Sequence, residues 1–209
     1  AKVAKGTATF RLTVGPGPPR VVTLRDITVK GMQLEPVLVD YLCQRNAVTG
    51  PLDLTGQSSL QLPGMLPTMS GTGRLSVGPG RVVGPDLPSA LSQALALTDL
   101  VSATLDPKAA RPGPRSPLSF DSITASYTIA DGVAHTGDLV YVARDIRVTG
   151  SGSYALTDGR TAMDVTVTQG SNRVKARLTG AAGALSIVPT DVRVKEPKDL
   201  RKALDRLLR

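Results

Sequence analysis

The chain has no tryptophan, two phenylalanines and four tyrosines, so aromatics make up only 3% of it. Aromatic rings supply the largest pieces of most cores; here Val, Leu, Ile and Ala must do that filling. The same scarcity removes the stacking platforms on which single-stranded nucleic acid lies. Cysteine is almost absent. Cys43 stands alone, which excludes an intramolecular disulfide. The apolar spacing of Val37, Leu38, Tyr41 and Leu42 around it predicts a small, buried or half-buried residue on a helix. No run approaches the roughly 18 apolar residues of a membrane-spanning helix. The opening Ala1-Lys2-Val3-Ala4-Lys5 reads as neither a signal peptide nor an initiator start, which predicts a mature or trimmed chain.

Catalytic signatures are missing too. His135 is the only histidine, so a His-rich metal site is excluded and a Ser-His-Asp triad would depend on that one residue. It follows an Asp-Gly turn, where a solvated strand histidine is expected. There is no Gly-x-Ser-x-Gly elbow. Gly15-Pro16-Gly17 and Gly78-Pro79-Gly80 lack the following Gly and Lys of a phosphate loop, and their prolines remove amides that a phosphate would use. They read as turns. Gly71-Thr72-Gly73 and Gly150-Ser151-Gly152 read as places where a strand bends or bulges. The expectation is a protein that is not an enzyme and carries no cofactor or metal.

Hydrophobic residues make up 41% and charged residues 20%, the balance of a folded chain. Lys and Arg outnumber Asp and Glu by 25 to 17, for a net charge of +8. Such a charge suits nucleic acid or an anionic membrane surface. The cations are scattered, however, which predicts a solvated basic face and no nucleic-acid partner.

Alternation dominates what is present. In residues 7–14, Ala8, Phe10, Leu12 and Val14 fall on one side and Thr7, Thr9, Arg11 and Thr13 on the other. That is a strand with one wet face. Residues 52–62 repeat the pattern with Leu52, Leu54, Leu60 and Leu62, and residues 123–129 with Ile123, Ala125, Tyr127 and Ile129. Residues 145–157 carry it through Ile146, Val148, Tyr154 and Leu156, residues 163–167 through Met163, Val165 and Val167, and residues 173–179 through Val174, Ala176 and Leu178. One-sided strands favour antiparallel pairing. Three segments share a strand–turn–strand form: LTVGPGPPRVVTL (12–24), LSVGPGRVVGPDL (75–87) and YTIADGVAHTGDL (127–139). They predict three hairpins in a meander.

Helical signals are few. They begin at Pro36, at Pro88 (to about Leu105) and at Pro197 (to Leu208), the last with a stripe of Leu200, Leu204, Leu207 and Leu208. Residues 106–118, rich in proline, read as a linker or loop between β-rich segments 1–105 and 119–209, the whole forming one continuous unit.

The stretch LSFDSITASYTIADGVAHTGDLVYVARDIRVTGSG (118–152) resembles the carboxy-terminal region of the AsmA-like family. The matching features are Phe120-Asp121 opening a strand, the Asp131-Gly132 turn, Asp138-Leu139, and the closing Gly150-Ser151-Gly152. Upstream, Met69–Leu87 is similar to the family's sequence of small turn, strand, paired glycines and Asp-Leu. The resemblance implies a mainly β fold: an elongated, strongly curved antiparallel sheet, gutter-like, with a few short helices. It further implies a periplasmic module, anchored to the inner membrane by an amino-terminal segment outside this chain, that carries phospholipid or other acyl chains between inner and outer membrane. The lipid-facing residues would be Phe10, Leu12, Val14, Leu60, Leu62, Leu75, Val77, Tyr127, Ile129, Ile146, Val148, Val165, Val167, Val174 and Leu178. On the residues alone, a plain β-sandwich whose two sheets cover each other stays open.

The basic face of the last helical segment, with Lys198, Arg201, Lys202 and Arg206, has two readings: a solvated cap over the sheet's end, or contact with lipid headgroups and a membrane surface. A second function class is a periplasmic scaffold that assists outer-membrane protein assembly by docking other envelope proteins at an open sheet edge. Under either, His135→Ala and Cys43→Ser should leave biological activity intact. Loss of activity in a folded His135→Ala variant, judged by circular dichroism, would restore the case for an enzyme.

Overall fold

The alternating, β-branched segments form strands, as period-two patterning and high Val and Thr content require. The computed structural model describes residues 2–38, 47–83, 119–144, 146–181 and 184–193. In chain order the elements are β1 (Lys2–Val3), β2 (Gly6–Val14), β3 (Arg20–Gln33), α1 (Leu34–Pro36), β4 (Ala47–Val48), β5 (Pro51–Leu62), β6 (Ser70–Val77), β7 (Gly80–Val83), β8 (Ser119–Phe120), β9 (Ser122–Ala130), β10 (Val133–Ala143), β11 (Ile146–Ala155), β12 (Thr161–Gln169), β13 (Asn172–Ala181) and β14 (Ala184–Arg193).

Eleven strands join in one antiparallel sheet of order β1-β2-β3-β5-β6-β9-β10-β11-β12-β13-β14. The sheet does not close, and almost no helix accompanies it among the described residues. With neighbours about 4.8 Å apart, eleven strands extend about 48 Å across the strand direction, so the sheet is elongated. β6 pairs β9 from Gly71↔Ile129 to Val77↔Ile123, so the ladder runs unbroken between the two halves of the chain. A plain two-sheet sandwich is not what forms: β4, β7 and β8 make a second sheet of only three short strands.

Two of the three expected hairpins are present, β2–β3 and β9–β10. In the second, Asp131 and Gly132 take φ of +49° and +72°, the left-handed pair that a tight hairpin needs. The hairpin expected over 75–87 does not form. The Gly78 N–H donates to Pro51 O at 2.9 Å, and the chain leaves the large sheet to pair β7 with β4 and β8. Gly80 passes too close to the Thr49 carbonyl and the Phe120 ring to carry a side chain. No bulge interrupts the β5–β6 ladder at Gly71–Gly73, where the register is continuous from Leu52↔Val77 to Ser59↔Ser70. The helix expected from Pro36 is a short turn that starts at Leu34, and its continuation through Cys43 lies outside the described residues. The segments 88–105, 106–118 and 197–208 lie outside them as well.

The curvature has identifiable sources. Against β5, β3 shifts register between Leu24 and Ile27 and again between Val29 and Met32. Asp26 and Gly31 sit at those shifts with φ of +54° and +61°. β10 shifts against β11 between Thr136 and Leu139. An extra residue bends a strand and raises its twist, and it removes a rung from the ladder. Aspartates accept the amides near these breaks. Asp53 accepts the Gly31 N–H at 2.8 Å, and Asp138 accepts the Ser126 N–H at 2.7 Å. Where β10 turns into β11, Asp121 accepts the Arg144 N–H at 2.6 Å.

These bonds set the acidity of two carboxyls. The Gly31 amide, then the Lys30 side chain, holds Asp53 below the ordinary carboxylate value. The Ser126 amide does the same for Asp138, helped by the Ser126 and Thr136 hydroxyls. A depressed folded-state pKa stabilises the fold fully above the unfolded value and ceases to do so as pH falls through the folded one. Asp138→Ala should therefore lower the urea midpoint at neutral pH. The wild-type and variant curves should converge as pH drops from about 5 to about 2. Parallel curves over that range would show that the carboxylate does not patch the bulge.

Candidate functional site: a one-sided apolar sheet

Cross-strand partners share a face, so the register defines each face outright. One row of the inner face runs Met32, Leu52, Val77, Ile123, Tyr141, Val148, Val167, Val174 and Val192. A second runs Ala8, Val29, Leu54, Leu75 and Ala125, and resumes beyond the β10 bulge with Leu139, Gly150, Val165 and Ala176. Rows through Tyr127 and Ile129 follow, and at the end of β2–β3–β5 a row of Val14, Val22 and Leu60. The outer face carries Thr9, Thr28, Thr55, Arg74 and Ser126 in one row, with cross-strand ion pairs such as Asp164–Arg177 at 2.8 Å. Those pairs are exposed and contribute little stability.

All the strand residues named from the sequence as lipid-facing, from Phe10 to Leu178, lie on this inner face. Arg11, Gln61, Thr128 and Thr166 lie on the opposite one. Burial within the set is uneven. Val77, Ile129 and Val174 are buried, whereas Phe10, Leu12, Val14 and Leu62 are exposed. His135 is exposed on the outer face, paired with Thr128 and Ser153. Lys198, Arg201, Lys202 and Arg206 lie outside the described residues.

The small sheet places a lid of side chains on one border of the inner face. Phe120 on β8, only 3% exposed, joins Leu52 and Val77 in a cluster to which Met32, Leu34, Val48, Ile123 and Tyr141 add their partly buried sides. The Phe120 and Tyr141 rings meet at 5.7 Å, tilted by 49°. Burial pushes the Tyr141 phenol above its ordinary value, with the Asp121 charge adding to the effect.

Elsewhere the face buries itself by laying side chains flat over glycines. Gly56, Gly73 and Tyr127 are lateral neighbours on β5, β6 and β9. A Cβ on Gly73 would strike the Thr55 carbonyl and the Tyr127 hydroxyl, so the Tyr127 ring occupies the space above that glycine. Desolvation there pushes the Tyr127 phenol above its ordinary value. Gly150 is a looser case: a Cβ there would meet Leu139, Met163 and Val165 side-chain atoms at 3.3–3.5 Å, close to ordinary contact.

Sequence reasoning missed Val29, the inner-face residues of β3 generally, and the plugging role of Phe120. In β3 the apolar residues fall at Val22, Leu24, Ile27, Val29 and Met32. Two register shifts turn period two into a spacing of two, three, two, three, and that spacing is itself the available signal.

A shallow depression of about 560 Å³ lies on the polar side, lined by Thr55, Gln57, Thr72, Arg74, Ser126 and Thr128 with Asp26 at its margin. Among the described residues no group of three His, Cys, Asp or Glu side chains could hold a metal ion, and no helix is long and apolar enough to cross a membrane.

Gly73→Ala should destabilise the fold by about 1–3 kcal/mol, the usual cost of overpacking. Gly137, in the β10 bulge, has open space where a Cβ would go. Gly137→Ala should stay within about 0.5 kcal/mol of wild type. Equal urea unfolding midpoints for the two variants would contradict the flat placement of Tyr127.

Comparison of the chain with protein-family models, with curated proteins and with solved structures finds no match.

Proposed function

We propose that this chain is a non-catalytic lipid-binding module that holds acyl chains along the inner face of its sheet. On this reading it serves phospholipid transport between the two membranes of a cell envelope, in the periplasm, as the resemblance to the AsmA-like family implies. The observation that carries the reading is the continuous apolar face itself. It spans the sheet from β2 to β14 with no second layer over most of it among the described residues. Apolar surface left in water costs about 25 cal/mol per Å², and large exposed apolar patches mark binding surfaces. An acyl chain contributes about 0.8 kcal/mol for each CH₂ removed from water, so partial burial of two chains offsets the cost of ordering them. Headgroups would remain at the polar margins, which makes headgroup selectivity weak.

A second reading, a scaffold that docks a partner's strand, is favoured by one feature. β1 pairs only with Gly6 and Thr7, so the outer edge of β2 from Thr9 to Val14 has no strand beside it among the described residues.

Mass spectrometry of lipid extracted from the purified protein separates the two. Val165→Asp and Leu60→Glu place a carboxylate on the inner face, where acyl chains would leave it poorly solvated. Both should lose bound lipid, while Thr166→Asp on the outer face keeps it. Equal lipid in both classes of folded variant, or none in folded wild type, would put the scaffold reading ahead.

A further inference from the structure

The two edges of the large sheet are built differently. β14 carries devices that keep an edge from pairing. Pro189 has no N–H to offer, Thr190 is an extra residue where Asp191 and Pro189 oppose Lys175 and Ala176, and Asp191 and Arg193 add charge. β2 has neither a proline nor an extra residue from Thr9 to Val14. Its register shift places the extra residue on β3, since Thr9↔Thr28 is followed by Arg11↔Arg25. The one charged side chain of this stretch, Arg11, lies 3.5 Å from Asp26 of β3.

The main-chain groups of the β2 edge follow from one hydrogen bond. The Gly15 N–H donates to Val21 O at 2.8 Å. Antiparallel partners alternate between bonded and non-bonded pairs. Arg11 and Thr13 therefore turn their N–H and C=O groups toward β3, and Phe10, Leu12 and Val14 turn theirs to the open edge. The same three residues hold apolar side chains on the inner face at 52%, 54% and 52% exposure. Open main-chain groups and wet apolar side chains coincide, and one added strand would satisfy both.

The edge is complementary to itself. A second copy related by a twofold axis perpendicular to the sheet presents this strand antiparallel, with its apolar face on the same side. In the register centred on Leu12, Leu12 meets Leu12 of the second copy, Phe10 meets Val14, and Arg11 meets Thr13. Apolar side chains then face apolar ones, and each cation faces a hydroxyl. The register centred on Arg11 would oppose two arginines, which is unfavourable. It would also bring Gly15 against Thr7, where β1 already pairs.

We propose that β2 pairs with β2 of a second copy in the register centred on Leu12, joining two sheets into one and their inner faces into one continuous apolar surface. The contact rests on the edge and not on the lipid reading, and it assigns to this chain itself the edge that favoured a scaffold. One pair of strands is a small interface of the weak class, so half-association is expected at about 1–100 μM.

Sedimentation velocity of the whole chain at rising concentration tests this. Wild type should pass from monomer to dimer. Leu12→Lys and Leu12→Glu each set like charges opposite one another, and each should raise the dissociation constant at least about tenfold. An equimolar mixture of the two variants should associate again, because Leu12 faces its own counterpart. Val192→Lys on β14 should associate like wild type, and so should Val165→Asp even where it has lost extracted lipid. Amide hydrogen exchange of wild type, which needs no variant, should slow at Phe10, Leu12 and Val14 as concentration rises. A wild type that stays monomeric overturns the proposal, as does exchange at those three amides that ignores concentration. Undiminished association of Leu12→Lys, or a mixture of folded variants that stays apart, overturns it too. Equal loss of association in Val192→Lys overturns it in favour of a head-to-tail contact between β2 and β14. Equal loss in Val165→Asp overturns it in favour of a contact through the inner face.

Discussion

Among the described residues, one large sheet with an apolar face has only a three-stranded sheet to cover one border of that face, and the rest of the fold follows from that constraint. A flat layer would leave the side chains of its inner rows standing in water. Here β3 and β10 each take in extra residues, which bends those strands and raises the local twist. The bend would be expensive if the broken rungs stayed empty, since an unpaired amide away from water costs as much as a lost hydrogen bond. Asp53 and Asp138 fill two of those rungs from the polar side. Polar residues on one face thus permit the bulges that bend the sheet.

Glycine makes the second contribution. At Gly73 the absent side chain is space that the Tyr127 ring uses. Side chains lying along the sheet cover neighbouring backbone and each other, which reaches moderate burial with one layer. The limit of the device is visible in the numbers. Phe120 and Val77, under the small sheet, are 3% and 4% exposed, and no described side chain is fully buried. Val174 and Ala176, on β13 outside that cluster, are nearly as buried, at 6% and 5%.

Much of this was legible in the sequence, and what was not has particular causes. Strands β2, β5, β9, β11, β12 and β13 alternate cleanly, and their inner-face residues follow from period two alone. β3 was opaque because its two bulges break the period, leaving Val29 out of phase with Leu24. The sequence 75–87 imitates the true hairpin at 12–24 down to its Gly-Pro-Gly, yet it departs into the small sheet. Local turn chemistry is the same in both. The difference is tertiary: Gly80 passes close to the Thr49 carbonyl and Phe120, partners far away in sequence. Phe120 was readable as the start of a strand but not as a plug, because two-residue strands have no period from which to infer a face.

The distribution of exposure over the inner face bears on what such a sheet can do. Burial is deepest at the Phe120 border and shallow at both ends of the sheet, where Phe10, Leu12 and Val14 on β2 and Val192 on β14 are about half exposed. Stability alone would favour covering those ends, since a few more apolar contacts would recover the free energy now lost to water. A surface that must take up and give up an apolar ligand has the opposite requirement. Its affinity has to come from area that is wet in the free state, and release is slow when every contact is enclosed. On the proposed lipid-binding reading, a face plugged at the Phe120 border and exposed toward its ends meets both demands: the cluster around Phe120 is packed, and the exposed rows would supply apolar area for a ligand. The same sheet built as a sandwich would gain stability and lose that area.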